Sequence, residues 1–180
     1  MLFPVADGEG SFLLFAYRKI ELIRRLNEKN FLKMKIENNK YALIIAVSDY
    51  DNVPKLNNTL NDARDVGEAL ESIGFHVRLV LDKDKKVINK EISEYLMMLK
   101  SNEASEGVIY IAGHGGQVYG RNYLFCKNAL SEKSDIDDNM VDIHDVWKKM
   151  QNTGGLFRMM VLDICRTNPF YFQEIQVTSA

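Results

Sequence analysis

Apolar residues run without a break through Tyr41-Ala42-Leu43-Ile44-Ile45-Ala46-Val47, a pattern that suits a strand covered on both faces better than one with a wet side. Phe75 to Leu81, Gly107 to Ala112 and Leu156 to Leu162 read as further strands. Between the first two, Leu60, Ala63, Val66, Leu70 and Ile73 recur at helical spacing, with Gly74 as the expected C-cap. Val87, Ile88, Ile92, Tyr95, Leu96 and Leu99 predict a second helix, and Val141, Val146, Trp147 and Met150 a third. Tyr123-Leu124-Phe125-Cys126 fits a short edge strand or hairpin arm, and Gly154-Gly155 turns the chain into its last strand. Strand and helix thus alternate, which implies an α/β fold: a parallel sheet with right-handed crossovers and helices on both faces.

Upstream, Met1 to Gly10 has no period, and from Ser11 the residues Leu13, Tyr17, Ile20, Ile23 and Leu26 mark an amphipathic helix with a charged outer face. The polar joint Glu37 to Lys40 sets the expected boundary: an extension over residues 1–39, one α/β domain over 40–170, and an irregular tail over 171–180.

Composition narrows the class. A hydrophobic content of 46% in 180 residues supports one packed core. A formal net charge of -2 leaves no electrostatic footprint for nucleic acid. The two cysteines, Cys126 and Cys165, cannot build a disulfide framework, and no Cys/His pair has zinc spacing, so a reducing, cytoplasmic setting is expected. The early apolar run Phe12 to Tyr17 is too short for a signal-peptide core or for the roughly 20 residues of a membrane span. The acidic loop Ser48, Asp49 and Asp51 lacks an EF-hand spacing, and no metal or other cofactor is expected. His76 reads as half-buried and structural, His144 as solvated, Cys126 as a small apolar filler, and Asp82 to Lys86 as a solvated turn.

Chemistry is expected where strands end, because in open α/β sheets binding and catalytic groups collect at the carboxyl ends of parallel strands. Ile109-Tyr110-Ile111-Ala112-Gly113-His114 and Val161-Leu162-Asp163-Ile164-Cys165 each read as a buried strand entering a polar loop with a reactive side chain. A free thiol with a pKa of about 8.5 is only a few per cent thiolate at neutral pH. A neighbouring imidazole can take its proton or stabilise the anion, so Cys165 is a candidate nucleophile and His114 a candidate general acid/base. The backbone N–H groups of Gly115 and Cys165 are candidate oxyanion donors. The plainer reading stands beside this one: a buried structural Cys and a loop His.

The block from Lys40 to about Phe170 resembles the large-subunit (p20) portion of the caspase-like cysteine peptidases, and among them most closely a paracaspase. The matching pieces are Val47-Ser48-Asp49-Tyr50, Leu60-Asn61-Asp62, Tyr110-Ile111-Ala112-Gly113-His114-Gly115 and Leu162-Asp163-Ile164-Cys165-Arg166. Caspases carry Gln-Ala before the nucleophile and Gly two places after it; this chain has Asp163-Ile164 and Thr167. Metacaspases usually set a second Cys beside the nucleophile, which Ile164 and Arg166 do not provide. The likeness implies a Cys165/His114 dyad, whose members lie about 50 residues apart as in caspases. It also implies that Asp62 and Asp163 hold a basic residue before the cut bond. Two carboxylates suit a guanidinium fork better than a lysine ammonium. Asp62 has a rival role in a near capping box, Thr59-Leu60-Asn61-Asp62, and Asp163 could instead accept loop N–H groups.

The implied activity is a cysteine endopeptidase acting on protein or peptide substrates after Arg or Lys through an acyl-enzyme. The alternative is a non-catalytic regulatory or interaction module of the same fold. The caspase-like sheet is expected to be truncated after the strand carrying the nucleophile, leaving an apolar edge for a second copy or an adaptor to cover. A flavodoxin-like phosphate binder shares the rhythm but needs a glycine-rich loop after the first strand, which Ser48 to Asn58 does not supply.

Overall fold

The computed structural model describes residue 20 and residues 40–101, 105–130 and 136–164. The chain divides into two units, Met1–Glu37 and Asn38–Ala180, and all described elements from Lys40 onward belong to the second. Apart from Ile20, the helix expected from Ser11 lies outside the described residues, as do Cys165 and the tail.

The elements follow in the order β1 (Lys40–Ala46), α1 (Thr59–Ser72), β2 (His76–Leu81), α2 (Lys85–Ser101), β3 (Glu106–Gly113), β4 (Gly115–Val118), β5 (Arg121–Phe125), α3 (Ile136–Asn139), β6 (Met140–Asp142), α4 (Ile143–Gln151) and β7 (Phe157–Ile164). The main sheet has the order β2-β1-β3-β7, with every pairing parallel. It is a mixed α/β fold with a central parallel sheet flanked by helices, as the alternation predicts.

Continuous apolar runs are explained by burial on both faces. Leu43, Ile45, Ile109 and Ile111 join one core with Ile88, Ile92, Tyr95 and Leu99 of α2 and Val146 and Met150 of α4. On the opposite face β1 meets α1 closely, since a Cβ at Gly67 would sit 3.4 Å from Ile44 Cδ1. β7 differs: Arg158 to Ile164 are only half-buried and Phe157 is exposed, as fits an edge position in the described sheet.

Two expectations are corrected by long-range pairing, while the hairpin arm expected at Tyr123 to Cys126 is found as β5. The last strand does not stop at Leu162; it runs to Ile164 because its ladder with β3 continues through Ala112↔Asp163 and Gly113↔Ile164, so Asp163 is a strand residue. His114 does not enter a polar loop. It leads into the β4–β5 hairpin, whose turn Tyr119-Gly120 has φ of 50° and 77°, the two positive values that match the twist of a tight hairpin. β4, β5 and β6 form a second, antiparallel sheet. The glycines of β4 hide it from any propensity argument.

The segment Asp82 to Lys86 is more than a solvated turn. Asp82, at φ 51°, accepts from the backbone N–H of Ser48 at 2.7 Å and of Asp49 at 2.9 Å. Asp84 caps α2 by accepting from Val87 N at 2.8 Å. His76 is exposed rather than half-buried, with its ring 5.5 Å from that of Tyr41. Cys126 is fully buried within the core, and His144 is exposed, both as expected. Among the described residues no helix is long and apolar enough to cross a membrane.

Candidate active site

His114 is the first residue beyond β3, and four contacts hold it. Its backbone N–H donates to Tyr50 Oη at 2.7 Å. Its carbonyl accepts from Phe125 N at 2.9 Å. Its ring lies 4.8 Å from the Tyr50 ring at an interplanar angle of 42°. Finally, Nε2 stands 2.7 Å from the carbonyl oxygen of Pro54. A carbonyl can only accept, so Nε2 carries a proton, and in the neutral form of the ring the lone pair lies on Nδ1. In that tautomer Nδ1 can accept a proton.

The loop after β1 supplies both Tyr50 and Pro54. Ser48 and Leu56 close its neck: Leu56 N donates to Ser48 O at 3.1 Å, and the Ser48 hydroxyl donates to the Leu56 carbonyl. Asp82 anchors its start. Lys127 ties down its acidic stretch, reaching Asp49 Oδ2 at 3.1 Å and Asp51 Oδ1 at 3.2 Å, and Lys55 also pairs with Asp49. Hydrogen bonds from Lys55 and then Lys127 hold the Asp49 carboxyl below the ordinary aspartate range. The carboxylates that might attract a cation are thus engaged by lysines of the same protein.

The charges of Asp163 and Asp62 both act on one buried tyrosine. Tyr110, 1% exposed, donates from its hydroxyl to Asp163 Oδ2 at 3.0 Å. Burial foremost, then the Asp163 carboxylate, and also Asp62, push the Tyr110 hydroxyl far above the usual tyrosine range, so it remains a donor. Register accounts for the meeting. Asp163 pairs with Ala112, two residues along β3 from Tyr110, and alternate strand residues share a face. Asp62, half-buried, belongs to the first turn of α1, but the cap is Asn58, whose side chain makes no cap hydrogen bond. Asp62 is therefore the fourth helical residue, one beyond the capping-box position.

Among the candidate residues, His114, Gly115, Asp62 and Asp163 are described, and Cys165 lies outside the described residues. Gly115 opens β4 and is buried. The sequence placed His114 and Cys165 at the ends of two strands, which the structure pairs as β3 and β7. Tyr50 and Tyr110 stood in the matching motif pieces, but the contacts of Tyr50, Pro54 and Tyr110 were hidden, because each is a hydrogen bond to a residue more than 50 positions away.

Residues 39–178 match the family model described as the caspase domain. The human mucosa-associated lymphoid tissue lymphoma translocation protein 1 is 25% identical over 154 residues, covering 86% of this chain and 18% of that protein. Its mouse homologue is 26% identical over 141 residues, covering 78% of this chain and 16% of that protein. The chain therefore spans less than a fifth of either relative. With a family match over most of its length and a parallel sheet of the corresponding kind, the chain belongs to the caspase-domain family of cysteine peptidases and is related to its paracaspase members.

Proposed function

We propose that this chain carries the catalytic half-site of a cysteine endopeptidase that cuts after a basic residue, Arg in preference to Lys. One observation carries the reading: β3 and β7 pair in parallel up to Gly113↔Ile164, and the next residue along the sequence is His114 on one strand and Cys165 on the other. In this reading His114 Nδ1 takes the Cys165 thiol proton and the thiolate attacks the carbonyl carbon of the scissile peptide. The backbone N–H groups of Gly115 and Cys165 hold the developing oxyanion, a contribution of about 3 kcal/mol for a donor of this kind. The tetrahedral species collapses to a thioester as His114 returns the proton to the leaving amine. Water, deprotonated by His114, then hydrolyses the thioester and frees the thiol. Asp62 and Asp163 accept from the guanidinium of the residue before the cut. The Tyr110 hydrogen bond to Oδ2 of Asp163 fixes how that carboxylate faces the substrate.

Fluorogenic peptides ending in Arg, Lys or Asp test this directly. Turnover should follow the order Arg, Lys, then Asp, and vanish on Cys165→Ala. A well-folded sample with no preference for Arg, or with turnover that survives Cys165→Ala, contradicts it.

A second reading rests on β7, whose apolar residues Met159, Met160, Val161, Leu162 and Ile164 are only half-buried at the edge of the described sheet. It makes the domain a regulatory module completed by a second copy or an adaptor. Concentration-dependent association that persists in Cys165→Ala, in a sample without peptidase activity, favours this reading.

A further inference from the structure

We propose that Tyr50 is a positioning residue for His114: it fixes both the backbone and the ring of the imidazole, so that Nδ1 keeps one direction while Nε2 stays bound to Pro54. The inference rests on His114 being the general base. It assigns to the loop after β1 the task of aiming that base.

Three independent features converge on Tyr50. Its hydroxyl accepts the His114 N–H at 2.7 Å, which anchors the backbone where the chain leaves β3. Its ring packs on the imidazole at 4.8 Å, which limits rotation about the His114 side-chain bonds. The third feature is Gly113, at φ +145°, where an added Cβ would lie 2.7 Å from Tyr50 Oη and 3.0 Å from Val47 O. Any side chain at 113 would therefore displace the hydroxyl that holds His114, so the glycine before the histidine makes room for this contact. Tyr50 is only 3% exposed and belongs to the core cluster, so its own position is fixed by packing. The same short loop presents the Pro54 carbonyl to Nε2. One segment thus grips the imidazole from two sides, and the Asp82 carboxylate holds that segment at Ser48 and Asp49.

Tyr50→Phe tests the assignment, since it keeps the ring and removes the acceptor. With an Arg-terminated fluorogenic peptide, kcat should fall about tenfold, the loss of one well-placed hydrogen bond, with KM unchanged. A role confined to packing moves neither the rate nor the imidazole. Nuclear magnetic resonance of Cys165→Ala protein labelled at histidine reads the imidazole without any need for turnover, and the chain has only three histidines. The background protein should show a His114 ring N–H protected from solvent exchange and a through-space contact to the Tyr50 ring. Adding Tyr50→Phe should abolish that protection and leave the His76 and His144 signals in place. A folded Tyr50→Phe variant with unchanged kcat and a still-protected His114 ring N–H overturns the proposal. Where the wild-type chain shows no turnover, the peptidase reading fails, and the resonance experiment alone decides the positioning role. Should Tyr50→Phe fail to fold, the spectrum without it decides: a protected ring N–H in contact with Tyr50 supports the assignment, and their absence overturns it.

Discussion

Gly113 and Asp163 show how single residues carry more than their motif. Gly113 combines a positive φ with a 2.7 Å approach to Tyr50 Oη, and holding a non-glycine residue in such a conformation costs about 1–3 kcal/mol. Gly113→Ala should lower unfolding stability by about that amount in urea titrations and reduce peptidase activity by more than the lost folded fraction explains. Asp163 is the residue whose setting the sequence left most open. Its place before Cys165 was legible as a motif position, but its hydrogen bond from Tyr110 was not, because that contact depends on which strands become neighbours. In the proposed pocket, a hydrogen bond to a charged partner contributes about 1.5–3 kcal/mol. Asp163→Asn should therefore raise KM for Arg peptides by about ten- to a hundredfold and narrow the preference for Arg over Lys. Equal kinetics in a folded variant would remove Asp163 from substrate binding.

Elements with strong periodicity were the legible ones. α1 and α2 follow their apolar stripes, with Ala63 and Leu70 buried on one and Ile88, Ile92, Tyr95 and Leu99 on the other. Of the antiparallel sheet only the β5 arm was legible: β4 has four residues and β6 three, too short for alternation to emerge. Their order comes from pairing and from caps. Asp142 ends β6 and caps α4, accepting from Asp145 N at 3.1 Å and from Arg121 Nε of β5 at 2.6 Å. Removing that side chain costs the cap, about 1 kcal/mol, and the tie to β5. Asp142→Ala should thus lower the unfolding free energy in urea titrations by at least the roughly 1 kcal/mol of the cap, with a smaller effect for Arg121→Ala, which leaves the cap intact. The loop after β1 should also withstand acid. Asp49 has a carboxyl pKa lowered by Lys55 and Lys127, so the stability it contributes is present above the unfolded aspartate value. That contribution is lost only as pH falls through the lowered folded value. Lys127→Met should loosen the loop at neutral pH, seen as faster amide exchange at Asp51, whose N–H donates to Lys127 O at 2.9 Å.

Across the whole molecule, the fold class followed from alternation and apolar runs, since parallel strands joined by helical crossovers admit few arrangements, whereas the pairing of β3 with β7 is a finding of the structure. The proposed half-site was legible as two strand ends. Its aiming devices were not, because Tyr50, Pro54, Asp82 and Tyr110 reach their partners only across the folded sheet. In the proposed half-site, the adjoining ends of β3 and β7 make Cys165 a nucleophile activated by His114. Mass spectrometry after treatment with an Arg-directed electrophile measures this most directly, because the only other cysteine, Cys126, is fully buried. One adduct on Cys165, formed faster with an Arg than an Asp reagent and suppressed in His114→Ala, is the expected result. Labelling that ignores the Arg group or proceeds unchanged in His114→Ala contradicts the account.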